Sequence, residues 1–285
     1  MRVYNCVMAL QSSYPLPLRQ ISLSGLPTTN SYPFNLPIVR NLHSLTFAQS
    51  VTFFVGENGS GKSTLLETIA CAAKLPTIGD QSVDSDPTLE PARQLAKHLK
   101  WEWSKRNHRG FFMRSEDFFG YAKRIHHMRS ELKTDMERVR EDNAHRGKMA
   151  QGLAMMAYAG QLHGLESSYG EGLDVQSHGE SYFKLFRARF VPQGLYLLDE
   201  PEAPLSPMRQ LALMAMIKEM IAQGGQFIIA THSPILLAYP HATIYHFDNG
   251  NVQTASFEEL EHVRLTRDFL NNPSLYLSHL LDEDV

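Results

Sequence analysis

Between residues 51 and 73, the hydrophobic pattern of the chain predicts a buried strand followed by a helix. Val51 to Val55 forms a compact β-branched and aromatic run, which is typical of a strand buried in a parallel sheet. A glycine-rich segment, Gly56 to Gly61, ends this run. The apolar spacing from Lys62 to Ala73 then predicts a helix. These residues therefore predict a unit of strand, glycine loop and helix.

The same pattern returns in the second half of the chain. Gly194 to Leu198 and Phe227 to Ala230 predict two further buried strands, separated by a helix from Pro207 to Gln223. Thr243 to Thr254 predicts a hairpin, and the helical C-terminal segment is broken at Pro273. Strands that alternate with helices predict an α/β fold, in which a mixed sheet is flanked by helices.

The period of the pattern changes between these two halves. Apolar residues from Phe118 to Val139 recur at steps of three and four, which predicts a long amphipathic helix. Residues 147–179 predict a short helix and a long loop. We interpret residues 115–177 as a helical insertion within one domain that spans residues 1–285.

Four shorter segments have their own local patterns. Thr77 to Pro91 is polar and predicts an exposed loop. Leu99 to Trp103 alternates apolar and charged positions and predicts a half-exposed strand. A turn from Asn107 to Gly110 would return Phe111 to Met113 as the hairpin partner of that strand. The proline-rich first forty residues predict short strands and turns rather than helix.

Composition and charge narrow the classes of protein. The net charge of −3 gives no global basic field, so nucleic-acid binding would need a local patch. Cys6 and Cys71 form no metal-binding or disulfide pattern, which suits a reducing compartment. No apolar run approaches the roughly 20 residues that cross a bilayer. We therefore expect a cytoplasmic protein without direct membrane insertion.

The strongest chemical signal is the glycine loop GENGSGKST at residues 56–64. It matches G-x-x-x-x-G-K-[S/T] and stands between a predicted strand and a predicted helix. Backbone amides in such a loop, together with the helix N-terminus, bind phosphate oxygens. Lys62 is expected to reach the β- and γ-phosphates of a nucleotide, and Ser63 to bind Mg²⁺. The predicted phosphate-binding residues are Gly56, Asn58, Gly59, Ser60, Gly61, Lys62, Ser63 and Thr64.

Two later strands end in polar residues that suit the same chemistry. Asp199 and Glu200 follow one buried strand, and His232 follows the next. We expect Asp199 to hold Mg²⁺, Glu200 to act as general base toward water, and His232 to face the γ-phosphate. Two acids could also simply cap a strand, but the glycine loop favours the functional interpretation.

Together these motifs resemble the Walker A, Walker B and switch-histidine motifs of ABC-type ATPases. The resemblance implies ATP and Mg²⁺ as cofactors, with Lys62, Glu200 and His232 as catalytic residues and Ser63 and Asp199 as metal ligands. It also implies hydrolysis at the γ-phosphate.

A signature-like segment, SHGES at residues 177–181, stands before Asp199 at a spacing typical of that superfamily. It departs from the usual LSGGQ sequence at His178 and Glu180. The resemblance implies that Ser177 and Gly179 contact the γ-phosphate held by a second copy. Ser177 and Glu180 also fit a helix capping box, which is compatible with that role.

Other family segments match less closely. Residues 110–116 lead into the predicted insertion as a Q-loop does but contain no glutamine, so Ser115 or Glu116 is our candidate substitute. Residues 203–207 take the place of the D-loop at the expected dimer seam. Tyr32 or Phe34 is a candidate for adenine stacking, with core packing as the alternative.

The motifs, with YPFNLP at residues 32–37, look like a bacterial group of stand-alone AAA/ABC ATPases over nearly the whole chain. The implied function is Mg²⁺-dependent ATP hydrolysis coupled to an ATP-sandwiched homodimer. The resemblance implies no biological role, and DNA maintenance or phage defence is our hypothesis for it. The alternative is a cytosolic ATP-binding subunit of an ABC transporter, against which the altered signature argues. A nucleotide-gated binding module with little turnover is a third class, against which Asp199, Glu200 and His232 argue. The protein partner is unknown. Nucleic acid is a second candidate partner for the long helix, although its mixed charges are typical of a solvated face.

Overall fold

A computed structural model of the chain describes residues 14–281 except 79–81, 107, 146 and 170–177. The strands are β1 (Leu18–Leu23), β2 (Ser44–Thr46), β3 (Val51–Gly56), β4 (Leu99–Trp103), β5 (Gly110–Arg114), β6 (Leu195–Asp199), β7 (Gln226–Ala230), β8 (Thr243–Asp248) and β9 (Asn251–Ala255). The helices are α1 (Pro37–Arg40), α2 (Lys62–Ala73), α3 (Glu90–Ala96), α4 (Ser115–Asp142), α5 (Lys148–Tyr169), α6 (His178–Arg189), α7 (Pro207–Ala222), α8 (Pro234–Leu237), α9 (Glu261–Asn271) and α10 (Pro273–Leu281).

The larger sheet has six strands in the order β5-β6-β7-β3-β8-β9. Its first five strands are mutually parallel, and β9 returns antiparallel to β8 as the predicted hairpin. Every residue of β3, β6 and β7 is buried, because both faces of this part of the sheet are covered. The prediction of a mixed sheet flanked by helices is confirmed. The carboxyl ends of β3, β6 and β7 therefore lie along one edge of the sheet.

Two hydrophobic layers cover the faces of this sheet. Neighbouring residues of a strand point to opposite faces. Phe53 accordingly belongs to the core cluster that contains Leu213 of α7, and Phe54 to the cluster that contains Leu66 of α2. Burial of each such side chain stabilises the fold by about 1.5–3 kcal/mol. The helix that follows the glycine loop, α2, belongs to the second of these layers and is thereby held against the sheet.

The smaller sheet corrects one prediction. It has three antiparallel strands in the order β2-β1-β4, and Leu99 of β4 lies opposite Leu23 of β1. β5 instead lies beside β6 in the larger sheet, with Gly110 opposite Leu195. The predicted hairpin between β4 and β5 is therefore wrong, and Asn107 of its turn lies outside the described residues. The reason is that Phe111 and Phe112 of β5 are both buried and belong to different core layers, so the strand needs a covering layer on each face.

The segment predicted as an exposed loop, residues 77–91, is another correction. Ile78, Val83 and Leu89 are each at most 1% exposed. Ile78 also donates its backbone N–H to the carbonyl of Phe112. The polar composition was misleading because single apolar residues, spaced between polar ones, anchor this segment to the core.

The region between β5 and β6 is more helical than the sequence predicts. α4 confirms the long helix, but α5 extends over 22 residues where a short helix and a long loop are predicted. α4 and α5 pack against each other. The glycines of α5 made it look like loop, yet a helix accepts glycine at a cost of about 1 kcal/mol each. Within the described residues, no helix is both long enough and apolar enough to span a membrane.

Candidate active site

The glycine loop joins β3 to α2, and two of its glycines are required by the backbone. Gly56 has φ +151°, and a Cβ there would lie 2.2 Å from the carbonyl oxygen of Phe247. Gly61, the N-cap of α2, has φ +96°, and its Cβ would lie 2.5 Å from Cγ2 of Ile38. Side chains at these two positions would force the loop apart. The close packing therefore fixes the path of the loop around the N-terminus of α2.

Lys62 begins α2 and folds back across the loop. Its Nζ donates to the carbonyl oxygens of Gly56 at 2.6 Å and Glu57 at 2.9 Å, and the residue is 5% exposed. Burial lowers the pKa of Lys62, whereas the nearby carboxylates of Asp199 and Glu200 raise it. Neutral carbonyl oxygens thus hold the ammonium group in the loop. An anionic phosphate oxygen would form a stronger hydrogen bond with it.

Asp199 ends β6 and meets the first turn of α2. Its carboxylate is hydrogen-bonded to the side chain of Ser63, and the residue is 9% exposed. Burial raises the pKa of Asp199 to about 6, and the Glu200 charge acts in the same direction. The Ser63 hydrogen bond and the Lys62 charge oppose this shift. Burial of an ionised carboxylate costs free energy, and a cation bound beside it would offset that cost. The burial of Asp199 therefore suits a cation-binding site.

Glu200 follows Asp199 in an uncommon backbone conformation. Its φ is +48°, in the left-handed region, and its backbone N–H donates to the carbonyl oxygen of Ala230 at 2.9 Å. This conformation costs a residue with a Cβ roughly 1–2 kcal/mol. Strain of this kind is concentrated at functional sites, where neighbouring structure holds the residue in place. The turn places the half-buried Glu200 at the carboxyl edge of the sheet, beside Asp199.

His232 lies just beyond β7, the strand between β6 and β3. Its backbone N–H donates to Oε1 of Glu202 at 2.8 Å. The preceding residue, Thr231, donates its backbone N–H to the carbonyl oxygen of Phe54 in β3. His232 is therefore fixed at the same edge as the glycine loop and Asp199. The sequence reasoning did not identify Glu202, whose role depends on a contact across 30 residues of chain.

Several buried polar atoms at this edge have no hydrogen-bond partner in the part of the chain that the structure describes. They are Ser60 Oγ, Asp199 Oδ1, Glu202 Oε2 and His232 Nε2. Buried polar atoms in folded proteins are nearly always hydrogen-bonded, so a group of such atoms indicates a polar ligand. The oxygen pair of Ser63 and Asp199 suits a hard cation such as Mg²⁺. Lys62 supplies the positive charge for an anion alongside it.

The two candidates for adenine stacking occupy different environments. Phe34 is 8% exposed and packs edge to face on the ring of His98, so it belongs to the core. Tyr32 is 51% exposed, and its hydroxyl is hydrogen-bonded to Oγ1 of Thr64 at 3.0 Å. Tyr32 is therefore the candidate that stands beside the glycine loop.

The remaining predicted residues are placed only in part. Ser177 lies outside the described residues, whereas Gly179 lies in the first turn of α6, which begins at His178. Ser115 and Glu116 begin α4, but their side chains are outside what the structure describes. Arg114, which sequence reasoning overlooked, lies opposite Asp199 in the pairing of β5 with β6.

Arg114 connects this edge to two other elements. Its guanidinium lies 2.8 Å from the Asp86 carboxylate and 3.6 Å from that of Glu67 in α2. Burial opposes ionisation of Asp86, but hydrogen bonds from Thr88 and Arg114 outweigh it and lower the pKa of Asp86. The helix that begins with Lys62 and the start of α4 are thus joined through one buried cluster.

The fold and this site are those of an ABC-type P-loop ATPase. A family profile described as "AAA domain, putative AbiEii toxin, Type IV TA system" matches residues 79–238, more than half of the chain. The chain belongs to this family. The matched residues include Asp199, Glu200 and His232, and begin after the glycine loop.

Curated relatives are similar to this chain in sequence. A macrolide export ATP-binding/permease protein, MacB of Photorhabdus laumondii subsp. laumondii, is 25% identical over 259 residues, which cover 90% of this chain and 36% of MacB. A cobalt import ATP-binding protein, CbiO of Salmonella typhimurium, is 32% identical over 103 residues, covering 33% of this chain and 38% of CbiO. The chain thus spans little more than a third of the length of these relatives.

Two solved structures match this chain at low sequence identity. A nucleotide-free ATP-binding cassette from an ABC transporter is 15% identical, with a TM-score of 0.48, covering 92% of this chain and 99% of that one. An Smc head domain with an extended coiled coil, from Pyrococcus furiosus, is 11% identical, with a TM-score of 0.44, covering 89% of this chain and 99% of that one.

Proposed function

We propose that this chain hydrolyses ATP with Mg²⁺ at the edge formed by the glycine loop, Asp199, Glu200 and His232, and that ATP holds two copies together. The observation that carries the chemistry is the set of buried polar atoms at this edge that have no hydrogen-bond partner among the described residues. A phosphate chain with its cation would supply partners of the right sign to each of them.

Each residue of the site has its own role in this proposal, which follows from its position. Ser63 Oγ and the Asp199 carboxylate would hold Mg²⁺, which when bound neutralises charge on the phosphate oxygens. Lys62 exchanges its two carbonyl acceptors for the β- and γ-phosphate oxygens. Glu200 accepts a proton from the attacking water as the new P–O bond forms and the bond to ADP breaks. His232 donates to the γ-phosphate through its ring, held by the Glu202 contact to its backbone.

The second copy would supply the signature segment. A helix N-terminus attracts anions, and α6 begins directly after Ser177. In this proposal, Ser177 and Gly179 of one copy contact the γ-phosphate bound by the other. Residues 115–177 form an insertion within the single domain of residues 1–285. The two sites then open and close as the copies separate and associate.

Sedimentation velocity of Glu200→Gln with ATP and Mg²⁺ tests the dimer. This variant should bind ATP and hydrolyse it slowly, so it should sediment as a dimer with ATP and as a monomer without nucleotide. The double variant Glu200→Gln with Ser177→Ala provides the matched control and should shift toward monomer. A Glu200→Gln protein that remains monomeric at saturating ATP would contradict the sandwich.

The process served by hydrolysis has two candidates. The long helical pair α4–α5 and the altered signature support DNA maintenance or phage defence without a membrane subunit. Similarity to the macrolide export protein MacB and the cobalt import protein CbiO instead favours the motor of a transporter. Phosphate release measured with and without linear, circular and single-stranded DNA separates them. Stimulation by one DNA form supports the first candidate, and a rate unchanged by all of them supports the second.

A further inference from the structure

A second histidine, His262, lies beside His232. The centroids of the two imidazole rings are 6.5 Å apart, and the ring planes meet at 68° in an edge-to-face arrangement. His262 is the second residue of α9, 30 positions after His232 in the chain. None of the motifs in the sequence includes it. The contact is therefore a feature of the folded chain that the nucleotide-binding motifs do not account for.

The surroundings of His262 disfavour its charged form. Burial lowers the pKa of His262, His232 and His246 lower it further, and the Glu57 carboxylate in the glycine loop raises it. On the side of His232, the Glu202 carboxylate accepts a hydrogen bond from the His232 backbone N–H. The Nε2 atoms of both rings are buried without a hydrogen-bond partner among the described residues. A ring whose charged form is disfavoured is thus packed against the histidine that is proposed to face the phosphate.

The position of the His262 ring is fixed by its own helix. The first turn of α9 is anchored by Leu260 and Val263, which are 2% and 3% exposed. The carbonyl oxygen of His262 accepts a hydrogen bond from Oγ1 of Thr266 at 2.7 Å. α9 also packs on α8, whose N-cap, Ser233, directly follows His232. These contacts give the His262 ring a defined place relative to His232.

His232 is consequently held at two points. Glu202 binds its backbone N–H, and the edge-to-face contact with His262 limits how its ring can rotate. We propose that His262 is a positioning residue, which holds the His232 imidazole in the orientation needed at the γ-phosphate. This proposal rests on the proposed role of His232 in the nucleotide site.

Kinetics of three variants tests the proposal. His262→Ala removes the ring, and we expect kcat to fall by about tenfold, with KM for ATP within about twofold, because only ring orientation is lost. His262→Phe keeps a planar ring and should recover most of the lost kcat. His43→Ala, at an exposed histidine away from the site, is the control and should match the wild type. Wild-type kcat in His262→Ala, or no recovery in His262→Phe, would overturn the proposal.

An NMR titration of the imidazole protons provides a readout that does not depend on hydrolysis. His262 should titrate below its ordinary value of 6.5 in the wild type, and its midpoint should rise in His232→Ala. An unchanged midpoint in His232→Ala would show that the rings do not interact and would overturn the proposal. If the wild type hydrolyses no ATP, the proposed function is wrong, and this titration still decides whether the two rings are coupled.

Discussion

Ser63 and Asp199 are hydrogen-bonded through their side chains, although their segments are 136 residues apart and their strands are not neighbours. Ser63 lies in the first turn of α2, after β3, and Asp199 ends β6; β7 stands between the two strands. The contact brings a hydroxyl and a carboxylate together as a pair of oxygen ligands.

Ser63→Ala should weaken the use of Mg²⁺ without unfolding the protein. Loss of one oxygen ligand at this site should raise the Mg²⁺ concentration for half-maximal ATP hydrolysis by about tenfold, since such a contact contributes about 1–1.5 kcal/mol. Ser63→Thr keeps the hydroxyl and should stay close to the wild type. Rates measured over a Mg²⁺ titration check this. Equal Mg²⁺ dependence in Ser63→Ala and wild type would remove Ser63 from the metal site.

Asp199→Asn should stabilise the nucleotide-free protein while abolishing its activity. Burial raises the pKa of Asp199 from 3.8 to about 6 in the folded state, so the folded protein binds more protons between these values. The associated stability is fully present below 3.8 and is lost as pH rises through about 6. Asn at position 199 does not ionise, so the variant does not lose stability as the pH rises. At pH 8 the free energy of unfolding of the variant should therefore exceed that of the wild type by about 1–3 kcal/mol.

Urea unfolding at a series of pH values, without nucleotide or Mg²⁺, measures that difference. The gap between Asp199→Asn and wild type should close as the pH approaches 4. A gap that does not vary with pH would mean that Asp199 does not titrate in this range. Simultaneous gain of stability and loss of activity is the behaviour expected of a residue placed for function.

Lys62→Ala should lose nucleotide affinity with little change in stability. Among the described residues, the Lys62 ammonium group donates hydrogen bonds to the carbonyl oxygens of Gly56 and Glu57, and its burial disfavours the charge. Its removal should therefore alter the free energy of unfolding by less than about 1 kcal/mol. Calorimetric titration with ATP should show affinity reduced by about a hundredfold, because charge-assisted contacts to phosphate are lost. ATP affinity equal to that of the wild type would contradict the proposed phosphate contact.

Asp86→Asn should destabilise the cluster that joins α2 to the start of α4. Hydrogen bonds from Thr88 and Arg114 lower the pKa of Asp86, against the effect of burial. Its contribution is present above 3.8 and is lost as pH falls below that value. At pH 7 we expect a loss of about 2 kcal/mol in unfolding free energy. Arg267→Gln, which breaks an exposed ion pair with Glu258, should cost less than about 1 kcal/mol and is the control. Equal losses in the two variants would contradict the prediction.

The sequence predicted well those features that depend on local pattern. The run from Val51 to Val55, the glycine loop and the start of α2 at Lys62 follow from residue types at fixed spacing. The meeting of Asp199 and His232 at one edge follows from a general property of parallel strands. Since each of these signals lies within a few residues, a single sequence was sufficient to identify them.

Features set by pairing between distant segments were not predictable in the same way. The sequence of β4 and β5 suits a hairpin locally, yet Phe111 and Phe112 are stabilised by the larger sheet instead. The Glu202 contact to His232 and the His262 ring depend on the positions of three separate segments. The local sequence pattern carries no information about such contacts, because Glu202 and His262 are polar residues that would be typical of a surface position.

Steady-state phosphate release by the wild type and Glu200→Gln, with ATP and Mg²⁺, is the most direct test of the central claim that this site hydrolyses ATP with Glu200 as general base. We predict release by the wild type, and a rate lower by about a hundredfold or more in Glu200→Gln with ATP binding retained. Release by Glu200→Gln at the wild-type rate would contradict the account.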